Sequence, residues 1–187
     1  AVPTIAGAFF GAIRSAPSAG TLVGITVLFA LALLAELRPV PVDVDGERLV
    51  SLAFVFVISA QMLFSWEWSV LIGGAAIGIA LMVEHAPPLK LLFNSAVYAM
   101  AALLAAAPYS LAGGTGASSL GYAELTTLVF AAGAIFVLVN VALVCGAISL
   151  ASATPFRFVI GDHIRHSGPA FLIMGFLAAQ TVIFWNV

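Results

Sequence analysis

Gln61, Asn94, Tyr98 and Asn140 stand inside stretches that are otherwise apolar. Lys90, Asn94 and Tyr98 follow one another at four-residue steps, which on a helix places them on one face. Thr126, Gly133 and Asn140 recur every seven residues and define a single seam on a second helix. An amide facing lipid is costly, so Asn94 and Asn140 are expected to turn toward the interior of a bundle and to converge there with Tyr98. Gln61 is a weaker member of the same set. Two chemistries fit these positions. Polar groups between membrane helices can hydrogen-bond across the interface and fix register, at ~0.6–2 kcal/mol per contact, and this is their commoner use. The same groups can line a pocket with apolar walls and a few directional contacts, holding a small apolar or amphipathic ligand.

The remaining chemistry-bearing residues point less far. Asp43, Asp45 and Glu47 sit two apart around Gly46, which faintly resembles a calcium loop. The stretch lacks that loop's length and its distant bidentate Glu, and a solvated turn is the better reading. His163 and His166 could share a helix face with Asp162 close by, but a zinc ion needs a third and a fourth ligand and the neighbouring sequence offers only Asp162. Interfacial snorkelling is the commoner use of such residues at the end of a span. The single cysteine, Cys145, permits no intrachain disulfide and reads as a small packing residue. There is no Ser/His/Asp set, no phosphate-binding Gly loop with Lys and no pair of intramembrane carboxylates. The residues therefore imply no catalysis by this chain alone, no cofactor and no metal. No basic run is present to bind nucleic acid.

What must position these side chains follows from composition. Only 7% of the 187 residues are charged, 63% are hydrophobic and the mean hydropathy is +1.20. Such a chain cannot give itself a polar skin, and its solvent is a lipid bilayer. The apolar runs are continuous rather than alternating, which excludes a β-barrel and leaves helices. Spans are expected at 18–36, 50–65, 69–84, 91–107, 123–151 and 167–185, an all-α six-helix transmembrane bundle in one domain, 1–187. The second and third are short against the ~20 residues that cross a ~30 Å core. The fifth is long enough to tilt strongly or project. Ahead of the first span, Ile5, Phe9, Phe10 and Ile13 suit a short interfacial helix ending at Arg14. Pro39 and Pro41 stop the first span, and the Asp45-Gly46 turn between valines predicts a small hairpin or extended turn. Trp66 and Trp68 around Glu67 mark a membrane–water interface. Gly74 and Gly78 have the small-xxx-small spacing of closely packed helices.

The six basic residues divide unequally between the two sides. Arg14 stands alone on one face, whereas Arg38, Arg48, Lys90, Arg157 and Arg165 share the other, which is therefore expected to be cytoplasmic. The uncharged 109–122 connection then lies outside, as do both ends of the chain.

Several segments together resemble a known family. Leu34-Ala-Glu-Leu-Arg-Pro-Val40, a short polar turn and Val50-Ser-Leu-Ala-Phe54 are similar to the opening of bacterial membrane-associated sensor domains. Leu89-Lys-Leu-Leu-Phe-Asn94 with Tyr98, Leu138 to Val144, and Ser149 to Pro155 followed by Ser167-Gly-Pro169 also fit. The resemblance implies a sensory domain in a bacterial inner membrane, preceding an HD-GYP phosphodiesterase or GGDEF cyclase module of cyclic-di-GMP signalling. No HD, GYP or GGDEF sequence is present in the chain. With an outside C-terminus, such a module would require a further apolar run of ~20 residues beyond Val187. Substrate-binding subunits of energy-coupling-factor vitamin transporters share six spans and a Gly/Ala-rich third helix like Leu71 to Ala80, but Ala30, Ala32 and Ala35 match their docking surface poorly. A structural subunit of a larger membrane complex is the third reading, and assembly as a homodimer or into a larger membrane complex fits any of them.

Overall fold

A bilayer offers no partner for a bare N–H or C=O, so the chain closes its hydrogen bonds within helices. The computed structural model describes residues 2–14, 17–41, 49–111 and 120–185. It is helical except for one two-stranded ribbon: α1 Val2–Arg14, α2 Ala19–Leu37, β1 Val40–Pro41, β2 Leu49–Val50, α3 Ala53–Leu63, α4 Trp66–Val83, α5 Pro88–Ala105, α6 Ala107–Leu111, α7 Tyr122–Ser152 and α8 Phe156–Trp185. The helix ends follow local chemistry. Ser18 caps α2 by accepting from the Thr21 amide at 3.2 Å, and Pro39 forbids continuation beyond Leu37. Pro88 opens α5, where its missing N–H has no helical partner to lose. At the end of α4, His85 takes a left-handed φ of 55°. The Ala86 amide then reaches back to Leu81 O at 2.9 Å, as in a Schellman close. The ribbon is antiparallel, with Val40 opposite Val50, so the extended turn expected after the first span is present at both its edges. The possible cation ligands Asp43, Asp45 and Glu47 lie outside the described residues.

Among the described residues, four helical stretches are long and apolar enough to cross a membrane: α2, α4, α5 continued through α6, and α7. A fifth is α8 taken whole. Its halves, Phe156–Arg165 and Ala170–Trp185, meet at 58°. The predicted second span, 50–65, becomes α3, whose eleven residues rise only ~16 Å, about half a hydrocarbon core. Six full spans are therefore not what is observed. Residues 49–50 belong to the ribbon and Phe64–Ser65 to a turn, which takes both ends away from the helix.

The membrane reading is visible in the side chains. Val23, Leu34, Leu138, Leu172 and Phe184 point out of the bundle, a surface that water would not tolerate but acyl chains would. The core is α3 itself, with nine of its eleven residues buried between α2, α4, α7 and α8. Gly74 and Gly78 let α4 lie on α5: a Cβ on Gly78 would stand 2.8 Å from Ser95 Oγ. In the predicted α7 seam, Gly133 gives room to the Phe54 ring instead of to a polar partner, and Thr126 bonds the Tyr122 carbonyl of its own helix. Gly24, near the start of α2, meets Phe64 and Trp185, so the start of α2, the α3–α4 turn and the end of α8 share one end of the bundle. Arg38, Lys90 and Arg157 gather at the other end, called the basic end below.

Candidate functional site

Glu36 is the second-last residue of α2 and is 8% exposed. Along the α2 axis it lies ~18 Å from Gly24, by helical rise, and so at the basic end of the bundle. Its carboxyl group is hydrogen-bonded by the hydroxyls of Tyr98 and Ser51. Tyr98 sits past the middle of α5, and its ring packs edge-on against Phe136 of α7 with centroids 5.6 Å apart. Side chains on a helix lean toward its N-terminus, which directs the phenol of Tyr98 toward the basic end. Ser51 belongs to the link between β2 and α3, and its Oγ also accepts from the Ala53 amide at 3.1 Å, holding the first turn of α3. Glu84, which caps α4, lies within electrostatic reach of Glu36.

Three segments distant in sequence are thus tied at one acidic group. The tie is incomplete. Glu36 Oε1 is buried without a hydrogen-bond partner. An ionisable side chain inside a membrane bundle is expensive to keep there, and an unmet oxygen adds to that expense.

The predicted site residues fare differently from one another. Tyr98 enters the acidic cluster. Asn94, one turn earlier on α5, directs Nδ2 to the Lys90 carbonyl of its own helix at 2.8 Å. Asn140 is partly buried on α7, one turn beyond Phe136. No hydrogen bond between Asn94, Tyr98 and Asn140 is seen among the described residues. Gln61 is 1% exposed and lies toward the opposite end of α3, where Nε2 donates to Ala105 O at 2.9 Å. That carbonyl ends α5, so a side-chain amide supplies a donor to an acceptor at a helix terminus. Gln61 Oε1 is the second buried oxygen without a partner.

Glu36 is the residue that sequence reading missed as a site member. Its signal was an acid inside the last turn of an apolar helix, masked by the adjacent Arg38 and Pro39, which make it look like a headgroup charge. Among the described residues, no group of three or more His, Cys, Asp or Glu side chains comes together to hold a metal. His163 instead borders an apolar crevice of about 360 Å³ between α7 and α8, floored by Phe54, Gly133, Phe171 and Gly175. Its walls suit an acyl chain. Comparison with protein-family models, with curated proteins and with solved structures returned no match.

Proposed function

We propose that this chain is a membrane-embedded sensory input domain, of the kind that precedes a cyclic-di-GMP output module, with its basic end toward the cytoplasm of a bacterial inner membrane. One observation carries the reading: a buried carboxyl group holds α2, the start of α3 and the middle of α5 together, with one oxygen unmet. A group so placed has a reason to exist beyond stability, because apolar residues would pack there at lower cost. Filling or protonating Glu36 changes how strongly Tyr98 and Ser51 are held, and those two residues belong to different elements. A local binding event then biases the relative position of α3 and α5, which is what an input domain requires. On this reading α3, with the ribbon before it, completes a sixth crossing.

The sequence encoded after Val187 tests the assignment. An HD-GYP or GGDEF module there supports it, and a stop codon overturns it. With such a module attached, Glu36→Gln is expected to change cyclic-di-GMP turnover at unchanged protein level. Wild-type turnover in that variant would remove Glu36 from the mechanism. The transporter-subunit alternative is favoured by one feature, the polar cleft beside Gln61, and would show itself as stoichiometric co-purification with an energising partner.

A further inference from the structure

Where α3 turns into α4, at the end opposite Glu36, a cleft of about 320 Å³ opens between that turn and the α5–α6 break. Gln61, Phe64, Trp66, Glu67, Tyr109 and Ser110 line it. We propose that this cleft binds a small organic cation of the quaternary-ammonium type, presented either as a free solute or as a lipid headgroup.

The polar groups set the sign of the ligand. Among the described residues, the lining contains one acid, Glu67, and no Lys, Arg or His. Gln61 has its amide orientation fixed, since Ala105 O needs a donor and receives Nε2. What Gln61 has left is Oε1, an acceptor without a partner in a residue 99% removed from solvent. A carboxylate in the lining, with an unmet acceptor enclosed on a neighbouring lining residue, calls for a donor or a positive charge. Three of the other lining residues, Phe64, Trp66 and Tyr109, are aromatic, and ring faces attract cations, most strongly trimethylammonium-like groups that carry little hydration. Phe64 is held by an edge-on contact with Trp185, with centroids 5.9 Å apart, so that wall is fixed before a ligand arrives. A bare metal ion fits less well, because the cleft is many times the ~30 Å³ that one water occupies. The cleft also borders Ala106, the one residue that separates α5 from α6 within a single span.

The first helix supplies a flank. A Cβ on Gly11 would lie 2.8 Å from Glu67 Cγ and 3.0 Å from its Oε1, so α1 rests directly on the acid. Burying Glu67 from one side in this way lowers its access to water and strengthens its attraction for a cation entering from the other.

The proposal does not depend on the sensory reading, because binding is measured without an output. The purified chain, in nanodiscs of phosphatidylglycerol, is titrated with choline and, separately, with the neutral isostere 3,3-dimethylbutanol. Choline at about ten times its Kd is expected to raise Tm by on the order of 3 °C and the isostere to leave it unchanged. Glu67→Gln should weaken choline binding at least tenfold while keeping the wild-type Tm without ligand. Should that variant fold poorly, quenching of tryptophan fluorescence by choline in the wild type, and its loss in Trp66→Phe, gives the same information. If phosphatidylcholine nanodiscs raise Tm without choline and choline then adds nothing, the cation is a headgroup and the site stands. The proposal is overturned if neither source shifts Tm, if the neutral isostere matches choline, or if Glu67→Gln binds choline as the wild type does.

Discussion

Tyr98→Phe removes one hydroxyl and nothing else, and its effect is expected to change sign with the residue at position 36. In the wild type the phenol is one of two donors to a carboxyl group that already has an unmet oxygen. The phenylalanine ring keeps the edge-on packing against Phe136, so no cavity contributes. The loss is then that of a hydrogen bond to a buried acid, about 1–3 kcal/mol depending on whether the acid is charged. For a chain of this size that is an apparent Tm lower by roughly 2–10 °C. In a Glu36→Leu background the same hydroxyl has lost its acceptor and is the unsatisfied group. Removing it should now raise stability, by about 1 kcal/mol or more. The coupling energy between the two positions is therefore expected to exceed about 2 kcal/mol, well above the ~0.5 kcal/mol scatter of independent sites. Cys145 provides the assay, because it is the only cysteine and is fully buried, so a fluorogenic maleimide reports its exposure as the bundle opens. Equal losses for Tyr98→Phe in both backgrounds would refute the idea that Glu36 and Tyr98 act as one unit.

Gly78→Ala should destabilise the α4–α5 contact by about 1–2 kcal/mol, since its methyl would meet Ser95 Oγ at 2.8 Å. Adding Ser95→Ala should restore most of that loss, because the Ser95 Cβ is an ordinary 4.0 Å away; thermal unfolding of both variants checks it, and failure of the rescue would place the strain elsewhere. Ala153 caps α7 at φ 52° and is exposed, so Ala153→Gly should stabilise by about 1 kcal/mol, read as a higher midpoint in the same assay. For sidedness, Ser118→Cys in a Cys145→Ala background is expected to react with an impermeant maleimide in intact cells, and Lys90→Cys only after permeabilisation. The reverse pattern would invert the topology.

Legibility in the sequence tracked how local each determinant is. The ends of α2, α4, α5 and α7 fall within a few residues of the spans read from hydropathy, because prolines at 39 and 88 and the polar turns mark them directly. The length of α3 was not readable. Its apolar run continues to Phe64, and only tertiary pairing of Leu49–Val50 with Val40–Pro41 and the turn into α4 cut the helix short. The site divides along the same line. Tyr98 and Gln61 turn inward, since a polar group in hydrocarbon must find a partner. Asn94 satisfied that demand on its own helix, which sharing a face with Tyr98 could not reveal. Glu36 escaped notice because its burial depends on where α2 ends beside α5, a relation fixed by the short α3 and invisible in the eight residues around the acid.

The shortness of α3 has a mechanical consequence. Its first turn is held by Ser51, which also touches Glu36, and its last contains Gln61, which reaches the α5–α6 break. From Ala53 to Gln61 the axis advances ~12 Å, a length set by backbone geometry and not by contacts. Nearly every side chain along it is enclosed, so α3 cannot bend or fray without opening the core and moves, if it moves, as a piston. Sliding it toward the basic end would carry Gln61 away from the Ala105 carbonyl, and pulling on Gln61 would draw the first turn of α3 away from the acid. The two polar stations of this bundle, one at each end, are fixed at a single spacing by one rigid rod.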